Sequence, residues 1–135
     1  MIKNVGIIGY GYFGKKTYKE VNKFFKKENI FILTKTKKKE NLNFCYDEDR
    51  FFKKKIDFYF VCSPVDTHLF FLKKLIIKKK KFLIEKPIIS NIKEFKSLKK
   101  NINLNREISV NYIDKFNPSF KLFLKNIKNK KNLES

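Results

Sequence analysis

The sequence places all four of its glycines within nine positions, at Gly6, Gly9, Gly11 and Gly14. The last three form GYGYFG, a G-x-G-x-x-G spacing between a short apolar run and a helical pattern. Each of the three meets a separate demand. Gly9 permits a tight turn out of a strand. Gly11 carries no side chain, so the phosphates of a dinucleotide can approach the backbone. Gly14 lets the helix pack close to the strand. The amide groups that open a helix then face the phosphates, and the helix dipole favours negative charge there. Gly6 falls outside the motif, and a close helix contact at the strand is expected for it. Roughly 20 residues after such a motif, a carboxylate normally holds the ribose 2′-hydroxyl of NAD. Here the chain reads LTKTKKKE, with no acid before Glu40. The hydroxyls and lysines of Thr34, Lys35, Thr36 and Lys37 suit the 2′-phosphate of NADP, the favoured cofactor, with NAD as the alternative. Lysine is so common in this chain that the same pattern also fits a solvated loop.

These residues need elements to hold them. Residues 2–8 read as a buried parallel strand. Apolar residues then recur at helical spacing from Phe13 to about Lys27. Residues 30–34 are a second strand and 43–46 a short third, with a polar loop between. Residues 47–55 begin with acids and end with lysines, as a helix prefers. Residues 57–63 are a strong strand. Asp66 is expected to cap a helix running to about Lys78. Residues 81–85 form the next strand, stopped by Pro87. Ser90 or Asn91 caps another helix, and residues 107–112 are a last strand. Pro118 opens an amphipathic helix with Phe120, Leu122, Phe123 and Ile127 on its apolar positions. Strands alternating with helices predict an α/β fold with a doubly wound parallel sheet in three layers, α/β/α.

The chain of 135 residues suits one core, and its net charge of +20 raises a nucleic-acid reading. Composition argues against it. Of 33 basic residues only Arg50 and Arg106 are arginine, and alanine, glutamine and tryptophan are absent. Lys, Asn, Ile and Phe have A/T-rich codons, so a biased genome accounts for the charge. A surface selected for nucleic acid would retain arginine for bidentate contacts. Salt-dependent attraction to polyanions follows in either case. Cys45 and Cys62 lack the spacing of a zinc site, and free buried thiols in a reducing compartment are expected. No metal site, membrane span or signal peptide is evident, and a cytoplasmic location is expected.

Two further stretches carry a resemblance. One runs from Ser63-Pro64 through His68 to Glu85-Lys86-Pro87. The other is VNYIDKFNP, from Val110 to Pro118. With the glycine motif, and in this order, they resemble the N-terminal, Rossmann-type NAD(P)-binding domain of the Gfo/Idh/MocA oxidoreductases. The resemblance implies that Gly9, Gly11 and Gly14, with the backbone of Tyr12 and Phe13, hold the pyrophosphate. It places Thr34 and Lys35 by the adenosine ribose, and Ser63, Pro64 and His68 along the cofactor cleft. Glu85 and Lys86 would stand beside the nicotinamide, with Pro87 setting the turn. Lys86 and His68 are thus the candidate catalytic residues, Lys86 polarising a substrate hydroxyl or carbonyl. Lys115 matches a basic position of the family. His68 equally fits an ordinary half-buried helix residue, and only its Glu-x-Pro frame distinguishes Lys86 from other lysines.

The family's chains continue into a second domain that supplies most of the substrate pocket and the usual acid–base residues. On this reading residues 1–118 are the dinucleotide-binding domain, and residues 119–135 a helix leading toward a second domain that is missing. The implied activity moves hydride between NAD(P)(H) and a hydroxyl or carbonyl carbon of a sugar, polyol or sugar derivative. The implied partners are a nicotinamide dinucleotide, such a substrate, and a second copy of the chain or a separately encoded second domain. Specific nucleic acid and membrane are not among them. The alternatives are a non-catalytic dinucleotide-binding module, a truncated relic, or, least favoured, a basic nucleic-acid-associated protein.

Overall fold

The structure is a computed structural model, and it describes residues 1–101, 109–111 and 118. The expected helix at residues 119–135, Lys115 and most of VNYIDKFNP lie outside the described residues. Among the described residues six strands form one parallel sheet: β1 (Val5–Ile8), β2 (Ile30–Leu33), β3 (Asn43–Cys45), β4 (Phe58–Val61), β5 (Lys81–Ile84) and β6 (Ser109–Val110). The order is β3-β2-β1-β4-β5-β6, so the chain reverses its direction of travel between β1 and β4. That reversal opens a crevice at the carboxyl ends of these two strands, where open α/β sheets bind ligands. In register, Ile8 stands beside Leu33 of β2 and Val61 of β4. All three strands therefore end level at the crevice.

Among the described residues four helices cover the sheet: α1 (Tyr12–Val21), α2 (Glu48–Lys53), α3 (His68–Ile77) and α4 (Ile92–Asn101). Side chains alternate between the faces, as a pleated strand requires. Val5, Ile7, Ile30 and Ile32 pack with Val21 of α1. Ile8, Leu33, Tyr59, Val61 and Ile84 pack with Phe51 of α2, Leu72 and Leu75 of α3, and Leu98 of α4. The three layers are the expected ones. At Gly6 an added Cβ would lie 3.0 Å from the Phe51 ring and 3.1 Å from Tyr59. The small residue on β1 is the seat on which α2 lies.

Two expectations need correction. The first helix ends at Val21, with Asn22 as its C-cap, rather than near Lys27. Beyond it the amides of Phe24 and Phe25 both bond to the Val21 carbonyl. That turn carries Phe25 back onto the core and leaves Phe24 in solvent. Asp66 does not cap α3. It lies within the 3₁₀ turn Val65–Thr67 that precedes the helix. Within that turn, the Thr67 hydroxyl sits 2.7 Å from both the Ser63 hydroxyl and the Pro64 carbonyl. Two other helices have side-chain caps, of which Asn91 was expected and Asp47 was not. Asp47 accepts the Arg50 amide at 2.7 Å, and Asn91 accepts the Glu94 amide at 3.0 Å.

Candidate functional site

The turn after β1 is shaped by backbone contacts. Gly9 has φ of +92°, and a Cβ there would fall 2.6 Å from the Ser63 Cα. A Cβ on Gly14 would fall 2.0 Å from the Gly9 carbonyl oxygen. Real Cβ atoms do not sit so close, so both positions are closed to any side chain. Gly11 differs. A Cβ there meets no protein atom within 4 Å, yet the residue lines the main cleft. The space beside it is open for a ligand to come against the backbone. Gly11 is the N-cap of α1, whose first turn has no acid and no side-chain cap bond. Its opening amides are left for a bound anion, with no carboxylate in that turn to repel one. This cradle fits a pyrophosphate.

The cleft has a volume of about 640 Å³ and lies at the crevice between β1 and β4. It gathers Gly9, Gly11, Tyr12, Phe13, Thr34, Lys35, Ser63 and Pro64 of the sequence-predicted residues. Gly14 sits behind it, against the Gly9 carbonyl. The end of β2 contributes two hydroxyls and two ammonium groups: Thr34 is buried, and Lys35, Thr36 and Lys38 follow along the rim. Glu40, the nearest acid in the loop, is drawn to Lys15 of α1 at 3.8 Å. Among the described residues the acids lining the cleft are Glu48 and Asp66, and Glu48 pairs with Lys74.

Several lining residues were not singled out from the sequence. Tyr46 follows β3, stacks near Phe44, and its hydroxyl accepts the Lys38 amide at 3.3 Å. Its place after a strand was the available signal. Lys38, Glu48 and Phe71 reach the cleft from loops and helices far apart in sequence, and no local spacing announces them; Asp66, expected as a helix cap, lines the cleft instead.

A smaller groove of about 300 Å³ lies on the α1 side, and Phe13 and Cys62 border both spaces. Glu85 lines this groove together with Asn111. Burial pushes the Cys62 thiol up to about 11, with Glu85 adding to the rise and the Thr17 hydroxyl opposing it. The thiol stays protonated near neutral pH and is no nucleophile there. Lys86 and Pro87 line neither space. His68 lines neither as well. It is 2% exposed, with Nδ1 at 2.8 Å from the Pro87 carbonyl and Nε2 at 2.7 Å from the Ser63 carbonyl. It joins the ends of β4 and β5 through the backbone.

The sheet order, the glycine turn and the cleft at the switch point define a dinucleotide-binding fold. The model of an oxidoreductase family with an NAD-binding Rossmann fold, Gfo/Idh/MocA, matches residues 3–112. The chain belongs to that family. Its fold is similar to that of apo scyllo-inositol dehydrogenase from Lactobacillus casei, with TM-score 0.76 and 20% identity over 97% of this chain and 43% of that one. The same enzyme with bound NAD(H) and scyllo-inositol gives TM-score 0.75 at 18% identity, covering 97% and 42%. Myo-inositol 2-dehydrogenase from Lactobacillus plantarum gives 0.76 at 17% identity, covering 96% and 42%. The chain thus spans less than half the length of these enzymes. No curated protein matches it.

Proposed function

We propose that this chain binds a nicotinamide dinucleotide in the cleft and forms the cofactor-binding part of a dehydrogenase. The observation that carries this is Gly11: the residue borders the cleft with open space where a side chain would be. Gly9 and Gly14 on either side are required by the backbone alone, whereas Gly11 has no such internal reason. Its reason is a ligand. When bound, the nicotinamide supplies the site that accepts or donates hydride.

In this reading the backbone of Gly9 to Gly14 binds the pyrophosphate, and Thr34 and Lys35 stand at the adenosine ribose. Lys86, beside the nicotinamide, favours negative charge on a substrate oxygen. The substrate class is a sugar, polyol or sugar derivative, which rests on the family and on the inositol dehydrogenases whose fold is similar. NADP is the favoured cofactor. The lysines at the β2 end of the cleft and the engagement of Glu40 with Lys15 support this. The bound NAD(H) of the Lactobacillus casei enzyme marks the competing choice. Titration with NADPH and NADH tests it: NADPH binds at least about tenfold tighter, as one charge-assisted phosphate contact implies. Equal affinities overturn the NADP assignment, and hydride turnover on a panel of polyols and sugars tests the substrate class.

A further inference from the structure

Lys86 has a side-chain anchor on the residue before it and another on the residue after it. Before it, the Glu85 carboxylate accepts a hydrogen bond from Asn111 Nδ2 at 2.6 Å. The Asn111 amide in turn bonds to the Ile84 carbonyl at 2.9 Å, fixing Asn111 at the end of the β5–β6 pair. The Glu85 amide bonds to the Val61 carbonyl at 2.9 Å, so its backbone is held from β4. After Lys86, the Pro87 carbonyl is met by His68 Nδ1, and the opposite ring nitrogen meets the Ser63 carbonyl. His68 opens α3 and is buried. Two elements distant in sequence therefore converge on one three-residue turn.

We propose that His68 and Asn111 are positioning residues that jointly set where Lys86 stands relative to the cofactor. The assignment rests on the reading of Lys86 as the residue beside the nicotinamide. A lysine has four rotatable side-chain bonds, so its ammonium is placed well only if its backbone is. Asn111 suits this task because an amide donor matches the acceptor-only Glu85 carboxylate. A carboxylate at 111 would set two acceptors against each other. His68 acts through two main-chain carbonyls and has almost no surface for a ligand to touch. Its role is to hold one loop against another.

The experiment compares ADP with NADPH. ADP reads the adenosine and phosphate end of the cleft, whereas NADPH also reaches the Lys86 turn. Both are titrated against the wild-type chain, Asn111→Asp and His68→Asn, with folding checked by circular dichroism. The expected result is a loss of about three- to tenfold in NADPH affinity for each variant, the cost of a hydrogen bond. ADP affinity stays within about twofold. Parallel losses for ADP and NADPH make the two residues general supports and overturn the proposal, as does no loss at all. If His68→Asn does not fold, Asn111→Asp at the groove edge decides alone. Equal wild-type affinity for ADP and NADPH overturns both the placement of Lys86 and the 2′-phosphate contact while leaving the cleft intact. Binding of neither ligand to the wild type overturns the dinucleotide reading itself.

Discussion

The two sides of the crevice are built by different means. On the β1–β2 side the geometry is made by backbone: a positive φ at Gly9, a Gly14 pressed on the Gly9 carbonyl, an open face at Gly11. On the β4–β5–β6 side it is made by side chains bonding to loops, through Thr67, His68 and Asn111. The backbone at Gly9 and Gly14 admits glycine and nothing else, so mutational drift cannot disguise it. Side-chain anchoring allows many residue combinations and leaves no comparable mark. One side of the site therefore announces itself in composition, and the other becomes apparent from bonds.

The largest effect should come from breaking the backbone-built side. Gly14→Ala forces a Cβ to within 2.0 Å of a carbonyl oxygen. It should destabilise the fold by about 3 kcal/mol or more, read as a lower urea midpoint. A midpoint within error of wild type would show that this turn yields easily. Next comes the cofactor choice at the β2 end. Lys35→Glu should abolish the NADPH-over-NADH preference, with a change of about tenfold or more in the affinity ratio. An unchanged ratio would assign Lys35 to the solvent.

The smallest effect lies at the opposite end of the sheet and should touch neither side. Asp57 accepts the Lys3 and Asn4 amides, each at 2.9 Å. These bonds, Asn4 first, hold its carboxyl below the usual carboxylate range. A depressed folded-state value stabilises the protein above the unfolded-state value and ceases to as pH falls through the folded one. Asp57→Asn should therefore lower Tm slightly at pH 7, and the difference from wild type should close in acid. ADP and NADPH affinities should not move. A difference in Tm that persists in strong acid would contradict the assignment.

Much of the architecture was legible in the sequence. Apolar runs of strand length marked β1, β2, β4 and β5, because buried parallel strands tolerate little else. Gly9, Gly11 and Gly14 were legible for steric reasons. The end of α1 was not, since Phe24 and Phe25 continue the helical spacing even where the chain turns. Asp66 beside Thr67 looked like a cap because Asp is a common one. The Thr67 hydroxyl, bonded toward Ser63 and Pro64, accompanies a 3₁₀ turn that starts α3 at His68. The motif marked His68 as noteworthy, but its burial between two carbonyls depends on Pro87, 19 residues further along the chain, as well as on Ser63. Tyr46 had only its place after a strand to reveal it, and Asn111 lay inside VNYIDKFNP with nothing in its spacing to foretell its bond to Glu85.

The central claim is that open space at Gly11 is where a dinucleotide's phosphates meet the backbone. The most direct measurement is calorimetric titration of NADPH into wild type and Gly11→Leu, at about 0.15 M salt to suppress non-specific attraction to a chain of net charge +20. The account predicts saturable 1:1 binding to wild type. It predicts at least about a hundredfold loss in Gly11→Leu with an unchanged urea midpoint, because an added Cβ there meets no protein atom within 4 Å. Unchanged affinity in that variant, or no binding to wild type, would contradict it.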